Sequence, residues 1–215
     1  MSCKKWRIVT VHFVYLLVKA LCMGERRCLG ARHYADAFFW LSDACISCTC
    51  HGVGDPAVGL SSTTDEGSFK CYMADTGLLV AQLFADSEQT PHEVHRDILL
   101  GELETNEGMF AENAVAQQFV ASGRRPFFYS RRDDAASENT MEVDSLISKG
   151  YDNAAGRMRV SPVEVKSTKR YGTGPLEKFK AKFGGRVGTQ YVLHPKPMSD
   201  EGDLVRLPLY MAHLL

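Results

Sequence analysis

The chain is predicted to fold as an α/β protein, because from Asn106 onward its apolar patterning reads helix, three strands, helix, strand. A helix crossing between strands in that order packs against the sheet it connects. Three features carry the prediction. A helical stretch opens at the N-cap residue Asn106 and stops at Gly123. Three short runs rich in β-branched and aromatic residues follow. Pro175, suited to a first helical position, then starts a basic helix ahead of a last strand. With 45% hydrophobic and 24% charged residues over 215 positions, the chain has the composition of a globular domain and not of a disordered or fibrous one.

In chain order, residues 1–33 lack turn punctuation and receive no element. Within them Ile8 to Ala20 is apolar after Lys4, Lys5 and Arg7, which copies the basic and apolar regions of a signal peptide. The stretch is too short to span a bilayer as a helix. His12 interrupts it, Lys19 lies inside its far end, and no small-residue cleavage site follows Cys22. A cytoplasmic protein without a membrane partner is therefore expected. Tyr34 to Ala44 is helical, with Phe38, Leu41 and Cys45 on one stripe. His51 to Leu60 is Gly-rich and strand-like, and Ser61 to Gly67 is a polar loop. Apolar order resumes from Phe69 to Leu83, with Asp75-Thr76-Gly77 as a turn or helix start. The helix from Asn106 runs to Ser122. Strands are expected at Pro126 to Ser130, Glu142 to Ser148 and Met158 to Val165, a helix from Pro175 to Phe183, and a strand from Gln190 to Leu193. No internal repeat is present.

The acidic residues of this order fall where a metal site would need them. Glu112 shares the apolar face of its helix, one turn before Val115 and Ala116, and a carboxylate there is costly unless a cation meets it. Asp144 lies in the second strand. Glu164 and Lys166 end the third as Val-Glu-Val-Lys and, by strand alternation, share a face. If the two strands pair, Asp144 and Glu164 converge at one end of the sheet while Glu112 reaches in from the preceding helix. Such oxygen ligands suit Mg²⁺, which would lower the pKa of a bound water, and Lys166 could orient that water or neutralise developing charge. The plainer alternative is a solvated Glu-x-Lys pair on an amphipathic strand with Asp144 at the surface near a turn.

Seven cysteines, an odd number with none after Cys71, argue against a disulfide framework. Cys45, Cys48 and Cys50 with His51 and Cys71 resemble part of a zinc site, but the second ligand pair is missing, so buried free thiols are expected. His92 and His95 have helical spacing, yet the adjacent Pro91 and polar surroundings favour an exposed loop. The formal charge is −1, so no whole-molecule field advertises a polyanion. Locally the balance differs: ten Lys and Arg face only Glu164 and Glu177 between Arg157 and Lys196. Lys169, Arg170, Lys178 and Lys182 are the residues expected to meet a DNA backbone there. A solvated helix face balanced by acidic residues elsewhere is the competing reading.

These motifs carry a family resemblance. Glu112, Glu142-Val143-Asp144 and Pro162-Val163-Glu164-Val165-Lys166-Ser167 resemble the signature of PD-(D/E)XK nuclease-like proteins. More narrowly, Phe69-Lys70-Cys71-Tyr72-Met73-Ala74-Asp75-Thr76-Gly77-Leu78-Leu79, Phe110-Ala111-Glu112-Asn113 and Leu207-Pro208-Leu209-Tyr210-Met211-Ala212 resemble the C-terminal region of prokaryotic AAA-type ATPases, the domain of unknown function 4143. The resemblance implies a restriction-endonuclease-like αβββαβ core over residues 69–215 behind a small winged-helix-like remnant over 34–68. It also implies Glu112, Asp144, Glu164 and Lys166 as catalytic candidates, with Asp144 and Glu164 as ligands of Mg²⁺. No G-x-x-x-x-G-K-[ST] loop occurs, so ATP is not expected as a cofactor and the chain resembles a C-terminal half separated from its ATPase module. Two functions follow. One is a nuclease-like module contacting DNA with a divalent metal, and the other a catalytically silent module that binds nucleic acid or a protein partner.

Overall fold

Among the described residues the chain forms eight strands: β1 (Ser47–Val53), β2 (Thr64–Met73), β3 (Phe127–Arg131), β4 (Met141–Lys149), β5 (Arg159–Val165), β6 (Gln190–His194), β7 (Ser199–Asp200) and β8 (Leu204–Pro208), of which β1, β5 and β6 are buried almost throughout. The computed structural model describes residues 38–57, 59–84, 91–100, 107–131, 140–149 and 159–215. All eight strands join one mixed sheet in the order β2-β1-β3-β4-β5-β6-β8-β7. At its centre β3, β4 and β5 form an antiparallel meander, and β6 returns parallel to β5. That return is made by a helix, as a parallel connection requires.

Besides the helical residues 38–43, four α-helices accompany the sheet among the described residues: α1 (Thr76–Leu83), α2 (Pro91–Leu100), α3 (Glu107–Ala121) and α4 (Gly174–Phe183). The Asp75 carboxylate accepts the Leu78 N–H at 2.8 Å and so caps α1. Gly123, at φ 76°, ends the turn after α3, a conformation that costs glycine nothing. Pro175 sits in the first turn of α4. The helices divide the core. Leu176 and Phe179 of α4 pack with Tyr129, Val143, Leu146, Val160 and Val192 on one side of the sheet. Ala111, Val115 and Phe119 of α3 pack with Val163, Val165, Tyr191 and Leu193, sealed by Ala212 of the 3-10 helix Leu209–Leu214 and by Leu215 that caps it.

The mixed α/β layer and the order from α3 to β6 agree with the sequence reading, while the region before α1 differs. Residues 38–43 are helical as expected; positions 34–37, Asn106 and residues 1–33 lie outside the described residues. β1 begins at Ser47, not His51, and β2 begins at Thr64, inside the expected loop. The reason is a break in register: His51 pairs with Phe69 but Gly52 pairs with Asp65, so residues 66–68 bulge out of the ladder. Such a segment lacks the alternation by which a strand is recognised. Gly52 permits the bulge, since a Cβ there would lie 2.9 Å from Ser68. β1 also pairs with β3, in parallel, so β1 and β2 belong to the same sheet as the later strands. His92 and His95, expected on a loop, lie on α2 with both side chains exposed; Pro91 opens that helix instead of preventing it. Among the described residues no helix is long and apolar enough to cross a membrane.

Candidate functional site

The site begins with a lysine in a strand. Phe69, Cys71 and Met73 of β2 enter one core cluster, so alternation turns Lys70 and Tyr72 to the other face. There Lys70 pairs in register with Cys50 of β1, lies 5.2 Å from the Phe128 ring centroid, and is 1% exposed. An ammonium cannot be buried so deeply without counter-charges. Three carboxylates supply them. Its Nζ is 3.0 Å from Glu142 Oε1, 3.7 Å from Asp144 Oδ1 and 3.7 Å from Glu112 Oε2. Glu142 and Asp144 come from β4, two residues apart, and Glu112 from α3.

Burial pulls the Lys70 ammonium toward neutrality, but the attraction of Asp144, Glu112 and Glu142 outweighs it and holds the pKa above the ordinary lysine value. Glu112 moves upward, first by burial and then by repulsion from Asp144, with Lys70 and a hydrogen bond from Tyr72 opposing. That bond is donated by the Tyr72 hydroxyl to Glu112 Oε2 at 3.1 Å. Burial, with nearby negative charge, keeps the Tyr72 phenol protonated well above its usual range.

Asp144 also reaches the neighbouring strand. The last register pair of β4 with β5 is Ser145 with Val163, and one step beyond it Asp144 Oδ2 accepts the Val165 N–H at 2.8 Å. Val163 and Val165 pack beneath α3, and between them Glu164 accepts a hydrogen bond from Lys166 Nζ at Oε1, 2.6 Å away. Glu164 Oε2 is buried without a hydrogen-bond partner. Burial, then repulsion from Asp144, pushes the Glu164 carboxyl up to about 7, against the pull of Lys166.

This shift has a measurable sign. A carboxyl whose folded pKa lies above its unfolded value binds protons more readily when folded, so stability falls as pH rises through the interval between the two, here from about 4.5 to about 7. Glu164→Gln should flatten that fall, stabilising the protein at pH 8 by about 1–3 kcal/mol and changing little at pH 4. Thermal midpoints across this range check it. An equal effect at both ends would mean that charge is not the cause.

The carboxylates expected to converge therefore do so in two linked groups. Glu112 and Asp144 share the Lys70 ammonium together with Glu142, while Glu164 and Lys166 form their own pair beside Asp144. Among the described residues no group of three or more His, Cys, Asp or Glu is arranged to hold a metal ion. An internal ammonium occupies the point on which Glu112, Glu142 and Asp144 converge, so that trio is balanced without a metal ion; of the pair expected to hold Mg²⁺, Asp144 faces this ammonium while Glu164 lies outside the trio, close enough to Asp144 to be repelled by it. Lys70 and Glu142 were not singled out as site residues from the sequence. The signal was available in a lone lysine within the run Phe69 to Met73, whose other residues are Phe, Cys, Tyr and Met.

Of the thiols expected to be buried and free, Cys48, Cys50 and Cys71 are buried and Cys45 is exposed. Cys48 and Cys50 pack with Tyr72, Ala116 and Phe128, whereas Cys71 enters the cluster of Phe38 and Leu41 on the other face. All are free, and burial raises Cys48 to about 12 and Cys71 to about 11, leaving both as protonated thiols. Of the expected DNA-contacting residues, Lys169 and Arg170 are exposed on the loop that leaves β5. Lys178 donates to the Thr140 carbonyl at 3.3 Å and Lys182 to the Tyr129 hydroxyl at 2.6 Å. Lys180 pairs with Asp203 and Arg186 with Asp55, so part of the local positive excess is neutralised within the molecule. Comparison with protein-family models, curated proteins and solved structures found no match to this chain.

Proposed function

We propose that this chain is a restriction-endonuclease-like module that contacts the DNA backbone without cleaving it. The observation that carries this reading is the Lys70 ammonium among Glu112, Glu142 and Asp144. In a metal-dependent nuclease, acidic side chains hold a divalent ion that activates water. Here a covalently tethered cation balances the same kind of group and supplies no water ligand. Charge balance and strand placement are retained and the chemistry is not. The meander β3-β4-β5 followed by α4 and a parallel β6 supports the restriction-endonuclease-like part of the reading. Exposed Lys169 and Arg170, one turn of chain beyond Lys166, support backbone contact next to the carboxylate groups. By the same resemblance the chain acts as the C-terminal module of an AAA-type ATPase system, and phosphate contact is its contribution.

The test combines cleavage with binding. Single- and double-stranded DNA and RNA, incubated with the protein and Mg²⁺ or Mn²⁺, should remain intact. Binding to duplex DNA should weaken with salt, and Lys169→Glu with Arg170→Glu should reduce the salt slope by about 2. Metal-dependent cleavage that disappears in Glu164→Gln would overturn the non-cleaving reading. An unchanged salt slope would remove the DNA contact.

A further inference from the structure

A cleft of about 250 Å³, sharing no lining residue with the carboxylate groups, opens where β1, β2 and β3 meet the end of α4. Its polar lining is Asp65, Ser68, Tyr129, Ser130, Arg131 and Lys182. We propose that this cleft binds a phosphate monoester, whether of a mononucleotide or of the 5′ end of a nucleic acid.

Two cations face this space against one carboxylate, Asp65. Neither Lys182 nor Arg131 has an acidic partner among the described residues. Lys182 instead donates to the Tyr129 hydroxyl at 2.6 Å and stands 5.1 and 5.0 Å from the ring centroids of Tyr129 and Phe183. This arrangement orients the ammonium without neutralising it. Because the phenol oxygen accepts from Lys182, its own O–H remains a donor. The remaining ammonium N–H groups, the guanidinium of Arg131 and the Ser68 hydroxyl complete a set of donors biased toward an anion with several acceptor oxygens. A phosphate dianion gains most from such charge-assisted bonds. Tyr129 and Arg131 sit on β3, in register with Val143 and Met141 of β4, which holds them in place before a ligand arrives. The volume is below the roughly 300–1,000 Å³ of drug-sized ligand sites. It suits a phosphoryl group with its sugar and excludes a duplex. The site is independent of whether Lys169 and Arg170 touch DNA.

Inorganic phosphate, AMP and a short single-stranded oligonucleotide carrying either a 5′ phosphate or a 5′ hydroxyl are titrated into the isotope-labelled protein, with amide shifts at Tyr129 and Arg131 as the readout. Inorganic phosphate should saturate these shifts below about 10 mM. The sources are separated by comparing AMP with the two oligonucleotides: tighter binding by AMP assigns the mononucleotide, and a preference for the 5′-phosphorylated strand assigns the nucleic-acid end. Lys182→Met and Arg131→Ala, both at exposed positions, should each weaken phosphate binding about tenfold, whereas Lys182→Arg keeps most of it. Lys169→Glu with Arg170→Glu should leave phosphate affinity unchanged even if duplex binding is lost. Absence of saturation by all four probes, equal affinity in Lys182→Met and wild type, or loss of phosphate binding in the Lys169 and Arg170 variant would overturn the proposal.

Discussion

Lys70→Met should destabilise the protein by about 3–5 kcal/mol at pH 8, the cost of leaving a buried charge group without its counter-charge. Methionine keeps an apolar stem of similar length, so packing against Phe128 and Cys50 changes little and the loss is electrostatic. Glu112, Glu142 and Asp144 would face one another with no cation between them. The Glu112 carboxyl, already raised by burial and by Asp144, would rise further without the opposing ammonium, and stability would be lost as pH climbs past the ordinary carboxylate range. The variant should therefore recover toward wild type near pH 4, and denaturant unfolding at both pH values checks this. A pH-independent loss would assign the effect to packing. Lys70→Ala adds a second reading of the same group. It opens space at the point where three carboxylate oxygens lie 3.0–3.7 Å from the missing nitrogen. Ca²⁺, with oxygen distances of about 2.3–2.6 Å, needs less inward movement of those oxygens than Mg²⁺ at about 2.1 Å. Ca²⁺ should raise the thermal midpoint of Lys70→Ala and leave that of the wild type where it was.

The half of the fold after Asn106 was legible because its signals are local. A long periodic helix with a glycine stop, strands bounded by turn residues and Pro175 at a helix start each act within a few positions. Glu112 was legible for a related reason, since a carboxylate on an apolar helix face announces that something must balance it. What balances it was hidden. Lys70 reaches Glu112 and Glu142 only because β1 pairs with β3 in parallel and carries β2 along at the edge of the sheet. That pairing joins residues more than seventy positions apart, and no periodicity within β2 reveals which strand lies beside it. The bulge after Gly52 obscured the strand itself. β7, of two residues, leaves no alternation to read, and β8, of five, was not read as a strand either. The convergence of Asp144 and Glu164 was read from strand order alone. The ammonium that takes three carboxylates for itself changes what such a convergence can do.

Asn113→Leu should cost about 2–4 kcal/mol, although it exchanges a fully buried side chain for an apolar one with the same branching and number of heavy atoms. Asn113 belongs to the Phe-Ala-Glu-Asn run that suggested a functional motif, and its role in the structure is to hold β2 in place. Among the described residues β2 is the outermost strand, with no neighbouring strand on its far side. The Asn113 carboxamide stands in for one: Oδ1 accepts the Met73 N–H at 2.8 Å and Nδ2 donates to the Met73 carbonyl at 3.1 Å and to Thr76 Oγ1 at 3.0 Å. One turn further along α3, Gln117 Oε1 accepts from both the backbone N–H and the hydroxyl of Thr76, at 3.1 and 2.8 Å. Leucine would leave the Met73 peptide groups buried and unpaired, each at about 1–3 kcal/mol before relaxation. Thr76→Val removes only hydroxyl contacts and should cost about 1 kcal/mol. Urea unfolding should show a lower midpoint with unchanged slope for Asn113→Leu, because the exposed area is the same. A midpoint shift worth less than that of Thr76→Val would mean that the strand end is held by packing and not by the carboxamide. Because Lys70 lies three residues before Met73 on the same strand, loosening that end should also lower the protection of the Lys70 and Tyr72 amides in hydrogen exchange, ahead of global unfolding.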